Sequence, residues 1–127
     1  MTTPANIFLY VKDPLASAEF YGKVLGRGPL EASPGFALFE LVPGMMLGLW
    51  ARDGVEPAPA AAPGAAELGF PVADRAAVDA LHAAWTAKGL PILQTPVTMD
   101  FGYTFAAADP DGHRLRVYVL EDMGLTR

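Results

Sequence analysis

The sequence contains no cysteine, which excludes disulfide bonds, thiolate catalysis, cysteine-ligated zinc and iron–sulfur clusters. Basic residues are also few, with 9 Lys and Arg against 14 Asp and Glu and a formal net charge of -5. Nucleic acids and anionic membranes attract basic surfaces, so neither is expected as a partner. No apolar run approaches the roughly 20 residues that span a bilayer, and no basic segment precedes the first apolar stretch. We therefore expect a cytoplasmic protein.

The composition is that of a packed globule, with 52% hydrophobic and 18% charged residues. A length of 127 residues is close to that of one ordinary domain. We therefore expect a single domain over residues 1–127.

An internal repeat organises this domain. A strand-like run from Asn6 ends at Asp13-Pro14, a helix N-cap followed by a proline suited to the first helical turn. The same order returns from Glu67 to Asp74, and each run leads into an apolar helical stripe that stops at glycine. Two copies of a strand–helix unit are therefore predicted.

Each predicted helix is followed by further strands with turns between them. These segments are 36–42 and 45–51 around Pro43-Gly44, and 103–108 and 113–120 around the turn 109–112. A stretch rich in alanine and proline separates the halves and is typical of a linker. The sequence thus predicts two βαβββ modules, 5–53 and 67–121, joined by a linker at 54–66.

Several of these segments resemble the vicinal oxygen chelate superfamily, which includes glyoxalase I, the extradiol dioxygenases and the bleomycin-resistance proteins. The segments that carry the resemblance are Val11-Lys12-Asp13, Ala18-Glu19-Phe20-Tyr21, Leu25-Gly26 and Asp109-Pro110-Asp111-Gly112-His113. The resemblance implies an α+β fold in which two βαβββ modules form curved mixed sheets around a concave cavity.

A closer likeness is to phenazine-antibiotic resistance proteins. It rests on Leu47-Gly48-Leu49-Trp50, on Glu56-Pro57, and on the run from Asp100 to Phe105. This resemblance implies a homodimer that binds a drug without transforming it, at two sites where the subunits meet.

Enzymes of the superfamily hold a divalent ion with His, Gln or Glu side chains on paired strands. The resemblance places the corresponding positions at Asn6, Gly48, Glu67 and Arg116. Glycine has no side chain and arginine cannot ligate a cation at neutral pH, so we expect no metal and no other cofactor. Of the two histidines, His82 is expected to pack within a helix, and His113 to be structural at its turn.

Strand alternation identifies the residues that face the cavity, because alternate side chains point to opposite faces. Aromatic walls with glycine gaps make a slot for a flat ligand, which Arg or Glu would orient. Two other interpretations stay open: the aromatic residues fill a collapsed core, or Glu67 and Arg116 simply pair with each other. The candidate ligand-binding residues are Phe8, Tyr10, Gly48, Trp50, Glu67, Arg116 and Tyr118.

The favoured function is metal-free binding and sequestration of a small planar aromatic compound, such as a phenazine, with no catalytic residue. The alternative is an enzyme of the glyoxalase or dioxygenase type, either with metal ligands elsewhere or as a metal-free isomerase with Glu67 as general base. An interaction module without a ligand is a third hypothesis. We also expect a homodimer, because each open sheet presents an apolar inner face that another unit must cover.

Overall fold

The computed structural model describes residue 3 and residues 5–121. Its α-helices are α1 (Pro14–Leu25) and α2 (Arg75–Ala87), and a short 3₁₀ turn spans Arg52–Gly54. Its strands are β1 (Asn6–Val11), β2 (Glu31–Ala32), β3 (Phe36–Val42), β4 (Met45–Ala51), β5 (Glu67–Pro71), β6 (Ile92–Met99), β7 (Gly102–Ala108) and β8 (Arg114–Leu120). Neither of these helices is long and apolar enough to cross a membrane.

Both helices begin where the sequence predicts, because an aspartate satisfies their first free backbone amides. The Oδ1 atom of Asp13 accepts hydrogen bonds from the backbone nitrogens of Leu15 at 3.1 Å and Ala16 at 3.3 Å. The Oδ1 atom of Asp74 accepts one from Ala77 at 2.8 Å. Helix α1 ends at Gly26, whose φ of 73° is the left-handed conformation that glycine adopts most readily.

The chain divides into two compact units, one ending at Gly64 and the other beginning at Ala65, within the predicted linker. Each unit has one mixed four-stranded sheet, in the order β1-β4-β3-β2 in the first unit and β5-β8-β7-β6 in the second. The first strand of each unit pairs in parallel with the last, and the other pairs are antiparallel. The predicted α+β class and the two βαβββ modules are therefore confirmed.

In each unit the helix packs on one face of its sheet and forms the core there. The first core contains Tyr21 of α1 against Phe39 and Leu49, all fully buried. The second contains Trp85 of α2, which is 2% exposed and whose ring centroid lies 5.3 Å from that of Phe105. Trp85 is thus a core residue of the second unit. The faces opposite these helices carry the candidate ligand-binding residues.

Both histidines contribute to the second unit as expected. The half-buried ring of His82 packs against Phe105, with ring centroids 5.3 Å apart. His113 is 5% exposed, and its backbone nitrogen donates to Oδ1 of Asp109 at 2.9 Å. The side chain of Asp109 also accepts from the backbone nitrogen of Asp111, so this aspartate closes the turn before β8.

Candidate functional site

Aromatic side chains gather on the open face of the first sheet. The parallel register of β1 and β4 places Phe8 beside Gly48 and Tyr10 beside Trp50. The antiparallel register of β3 and β4 adds Phe36 opposite Trp50. We call these four aromatic residues and Gly48 the aromatic face. Four of its five members were predicted from strand alternation, and Phe36 was missed.

The rings of the aromatic face contact one another edge to face. The centroid of Phe8 lies 6.3 Å from that of Trp50, with an angle of 65° between the planes. Tyr10 lies 6.2 Å from Trp50 at 83°, and Phe36 lies 6.3 Å from Phe8. Such contacts hold the rings in place while leaving ring surface available. Phe8 is 50% exposed, which is a large apolar area for a side chain in the middle of a strand.

Gly48 lies beneath this cluster, and the predicted gap at Gly48 is filled. A Cβ atom at this position would lie 2.5 Å from Cδ1 of Phe8 and 3.0 Å from Cε1 of Phe36. Glycine is therefore required for the Phe8 ring to rest on the backbone of β4. The ring of Phe8 therefore occupies the space next to Gly48.

The 3₁₀ turn that follows β4 lies next to the indole of Trp50. A Cβ atom on Gly54 would be 4.0 Å from Nε1 of Trp50. In the same turn, Nη2 of Arg52 donates to the carbonyl of Ala61 at 3.4 Å. Val55 is only 5% exposed, so the predicted linker contributes a buried side chain to the first unit. The linker is thus partly anchored beside the aromatic face.

A polar cluster occupies the open face of the second sheet. Nε of Arg116 donates to Oε2 of Glu67 at 2.9 Å, as the pairing interpretation expected. Nη1 of the same guanidinium donates to Oε1 of Gln94 at 3.1 Å and to Oγ1 of Thr104 at 3.2 Å. The Thr104 hydroxyl is buried and donates to the carbonyl of Val117 at 2.8 Å. Gln94 and Thr104 were not predicted.

Tyr118 lies beside this cluster and repeats the arrangement seen at Gly48. A Cβ atom on Gly69 would lie 3.1 Å from Cε1 of Tyr118, so the tyrosine ring rests on the neighbouring strand β5. Phe101 contacts Tyr118 edge to face, with centroids 6.4 Å apart. In both units, then, a glycine on one strand allows an aromatic ring from the strand beside it to lie against the glycine's backbone.

The residues at the four expected metal positions do not fit a divalent ion. Asn6 is exposed at the start of β1, and Gly48 is covered by Phe8. The carboxylate of Glu67 is already paired with the positive charge of Arg116. Among residues 3 and 5–121, no group of three or more His, Cys, Asp or Glu side chains is placed to hold a metal ion.

A separate ionic network joins α2 to the strands of the second unit. Arg75 donates from Nε to Oε2 of Glu121 at 2.7 Å and from Nη2 to Oε1 at 3.0 Å. This hydrogen bond with Arg75 lowers the pKa of the Glu121 carboxyl. The hydroxyl of Tyr103 donates to Oδ1 of Asp79 at 2.7 Å, and that bond raises the pKa of Tyr103. None of these side chains was a sequence-predicted site residue.

The chain is similar in sequence to proteins of a known family. The family model of the glyoxalase/bleomycin resistance protein/dioxygenase superfamily matches residues 3–117. The chain is 30% identical over 122 residues to the phenazine antibiotic resistance protein EhpR of Enterobacter agglomerans, covering 94% of this chain and 93% of that protein.

Solved structures show the same likeness. A protein of Agrobacterium tumefaciens determined by solution NMR is 52% identical, with a TM-score of 0.85 over 96% of this chain and 100% of the other. A glyoxalase/bleomycin resistance protein/dioxygenase from Nocardioides is 25% identical, with a TM-score of 0.83 over 100% of this chain and 89% of the other. The similarity therefore extends over both units.

Proposed function

Because the chain belongs to the glyoxalase/bleomycin resistance protein/dioxygenase superfamily, we propose that it binds and sequesters a small planar aromatic compound without a metal. The observation that carries this proposal is the aromatic face, where Phe8 is 50% exposed on top of Gly48. A flat ring system stacked there removes apolar area from water and gains about 0.5 to 1.5 kcal/mol for each ring pair beyond area burial.

The chemistry of the aromatic face suits a heteroaromatic ligand. The indole Nε1 of Trp50 has no hydrogen-bond acceptor within the described part of the chain, so it is available to donate to a ligand nitrogen or oxygen. Phenazine combines three fused flat rings with two ring nitrogens that accept hydrogen bonds. The name of the resistance protein from Enterobacter agglomerans supports the same ligand class.

Binding without a metal is supported by the residues at the expected ligand positions. Arg116 places a fixed positive charge against Glu67 with 2.9 Å between Nε and Oε2, and a divalent cation would be repelled there. We expect elemental analysis of the purified protein to find no stoichiometric transition metal. About one tightly bound ion per chain would contradict this part of the proposal.

Sequestration is favoured over catalysis because the aromatic face itself carries no carboxylate or imidazole that could act as a general base. The candidate base Glu67 lies on the second sheet, where its Oε2 accepts from Arg116. We therefore propose a resistance-like binding protein that acts as a cytoplasmic homodimer and lowers the free concentration of its ligand. An enzyme with an atypical metal site is the alternative, and no contact among the described residues favours it.

The direct test is a titration of the ¹⁵N-labelled protein with phenazine, followed by the two tryptophan indole N–H signals. We expect the Trp50 signal to shift in a saturable manner, because this indole lies on the aromatic face. The Trp85 signal serves as an internal control, since its ring is in the helix-side core and only 2% exposed. A shift of Trp85 without a shift of Trp50, or no saturable shift at all, would contradict the proposal.

A further inference from the structure

We propose that residues 56–61 of the linker form a strap that closes over the aromatic face when a ligand is bound, and that Arg52 holds this strap closed. The inference rests on the proposed function and adds a movable wall to its site. Three features of the first unit support it. The strap is fastened only at its ends, Arg52 is incompletely bonded to it, and the turn that begins with Arg52 lies against Trp50.

The strap is held at its two ends and not between them. Just before it, Val55 is 5% exposed, and its backbone nitrogen donates to the carbonyl of Arg52 at 3.3 Å. At the other end, the carbonyl of Ala61 accepts from Nη2 of Arg52 at 3.4 Å. Within the described part of the chain, residues 56–60 make no hydrogen bond, and all but one of them are exposed. The strap can therefore change position without breaking backbone pairing.

Arg52 is bonded to the strap incompletely. Its Nε atom is buried and has no hydrogen-bond acceptor among the residues that the structure describes. The bond from Nη2, at 3.4 Å, is longer than the usual N–H···O range of about 2.7 to 3.2 Å. A buried donor of a charged group that lacks an acceptor is unfavourable, so a conformation that supplies one is favoured. An inward movement of the strap would bring such acceptors, namely its backbone carbonyls and the carboxylate of Glu56.

The turn that begins with Arg52 connects the strap to the aromatic face. A Cβ atom on Gly54, in this turn, would lie 4.0 Å from Nε1 of Trp50. A flat ring stacked on Trp50 would therefore lie close to the turn, where the alanines and prolines of the strap can cover it and lose exposed apolar area. Ligand binding and strap closure then favour each other. Arg52 is thus a positioning residue, because it acts on the ligand through the strap.

The first test measures the association and dissociation rates of phenazine with the full-length protein by stopped-flow tryptophan fluorescence. The strap closes after the ligand has entered, so its loss should affect dissociation rather than association. We expect Arg52→Met to raise the dissociation rate constant about tenfold, the usual effect of losing a hydrogen bond to a charged group, and to leave the association rate constant unchanged. Arg52→Lys, which can still donate to a backbone carbonyl, should retain part of the slow dissociation.

The matched control for this test is Arg27→Met. Arg27 also donates from Nη2 to backbone carbonyls of the first unit, but to those of Glu40 and Leu41 at the end of β3. We expect its replacement to leave both rate constants unchanged. An equal rise of the dissociation rate constant in Arg27→Met and Arg52→Met would overturn the proposal, and so would an unchanged rate constant in Arg52→Met.

The second test follows the strap itself by limited proteolysis with elastase, which cleaves after small residues such as Ala60 and Ala61. At saturating phenazine, we expect cleavage at these positions, identified by mass spectrometry, to slow several-fold in the unaltered protein but not in Arg52→Met. A loss of stability alone would speed cleavage with and without phenazine, so the difference caused by phenazine reports on closure.

The outcomes separate this inference from the proposed function. If phenazine shifts the Trp50 indole signal but leaves cleavage of the strap unchanged, the strap is disproved while the proposed function stands. Equal protection of the unaltered protein and Arg52→Met would disprove the role of Arg52. If phenazine neither shifts the Trp50 signal nor protects the strap, both proposals are wrong.

Discussion

At the scale of single residues, two glycines determine where aromatic rings can lie on the open faces of the two sheets. Gly48 and Gly69 each lie under an aromatic ring that a side chain would displace. Glycine is poorly suited to the interior of a strand, because it has no side chain to pack and loses more backbone entropy on folding than other residues. Its presence at both positions is explained by the rings of Phe8 and Tyr118 that it accommodates. The aromatic surfaces are therefore built from pairs of residues on neighbouring strands.

Replacing Gly48 by alanine is expected to push Phe8 off the strand. The new Cβ would stand 2.5 Å from the ring, and the half-exposed ring can yield only by swinging outward. We expect a loss of about 1 to 3 kcal/mol in unfolding free energy, as for other overpacked sites, together with weaker phenazine binding. Gly35→Ala is the control, since nothing lies within 4 Å of its Cβ position. Equal stability of the two variants in urea denaturation would show that Phe8 does not depend on Gly48.

The two tryptophans should respond in opposite ways to truncation. Trp50→Ala removes a partly exposed side chain of the aromatic face. We therefore expect the binding free energy of phenazine to weaken by roughly 1 to 3 kcal/mol and the unfolding free energy to change little. Trp85→Ala removes a side chain that is 2% exposed and should lower the unfolding free energy by about 3 to 5 kcal/mol. Calorimetric titration and thermal denaturation separate the two effects. Unchanged phenazine affinity in Trp50→Ala would place the ligand elsewhere.

Strand alternation predicted which residues share a face, because its period of two depends only on local geometry. It placed Phe8 with Tyr10 and Gly48 with Trp50, as the structure has them. Phe36 was missed because its face depends on the register between β3 and β4, which includes an irregularity near the end of β3 and cannot be derived from either strand alone. The filled space at Gly48 could not be predicted either, since it depends on the rotamer of a residue on another strand.

At the scale of elements, helix starts were easier to predict than helix ends and edge strands. The Asp13 and Asp74 caps act through short-range hydrogen bonds that are visible in the sequence. The ends were less clear, because several glycines follow the apolar stripe of α1 and only the structure identifies Gly26 as the C-cap with a positive φ. Strand β6 was not located, because the adjacent polar residues Gln94 and Thr95 and then Pro96 interrupt its alternating pattern, and Gln94 was missed with it.

The network at the start of α2 predicts a specific pH dependence. Glu121 has a lowered pKa in the folded protein because Arg75 bonds its carboxylate, so ionised Glu121 stabilises the fold. This stabilisation is present above the unfolded-state pKa of about 4.3 and is lost as the pH falls through the lower folded value. We expect Arg75→Gln to raise the pKa of Glu121 towards its ordinary value, measured by NMR titration of the side-chain carboxyl. Arg114→Gln should leave it unchanged, and an equal shift in both variants would contradict the assignment to Arg75.

At the scale of the whole molecule, the repeat was the most informative feature of the sequence. Local signals of strand, cap, helix and turn occur twice in the same order, which predicted two matching modules and the α+β class, although β2 and β6 were not located. The boundary between Gly64 and Ala65 lies inside the predicted linker. Val55 of the predicted linker is buried, and this could not be predicted because an isolated apolar side chain beside a proline-rich segment gives no periodic pattern.

The open sheet faces lead to the last prediction, that the protein is a homodimer in solution. Large apolar side chains are exposed in both units, among them Phe8 at 50%, Leu93 at 52% and Leu120 at 57%. Apolar surface of this kind is commonly covered by a second copy of the chain, and a stable interface removes about 800 Å² from water on each partner. We expect light scattering coupled to size-exclusion chromatography to give twice the mass of one chain at tens of micromolar protein. A mass of one chain at that concentration, both with and without phenazine, would contradict the homodimer. The ligand would then bind to the aromatic face of a monomer.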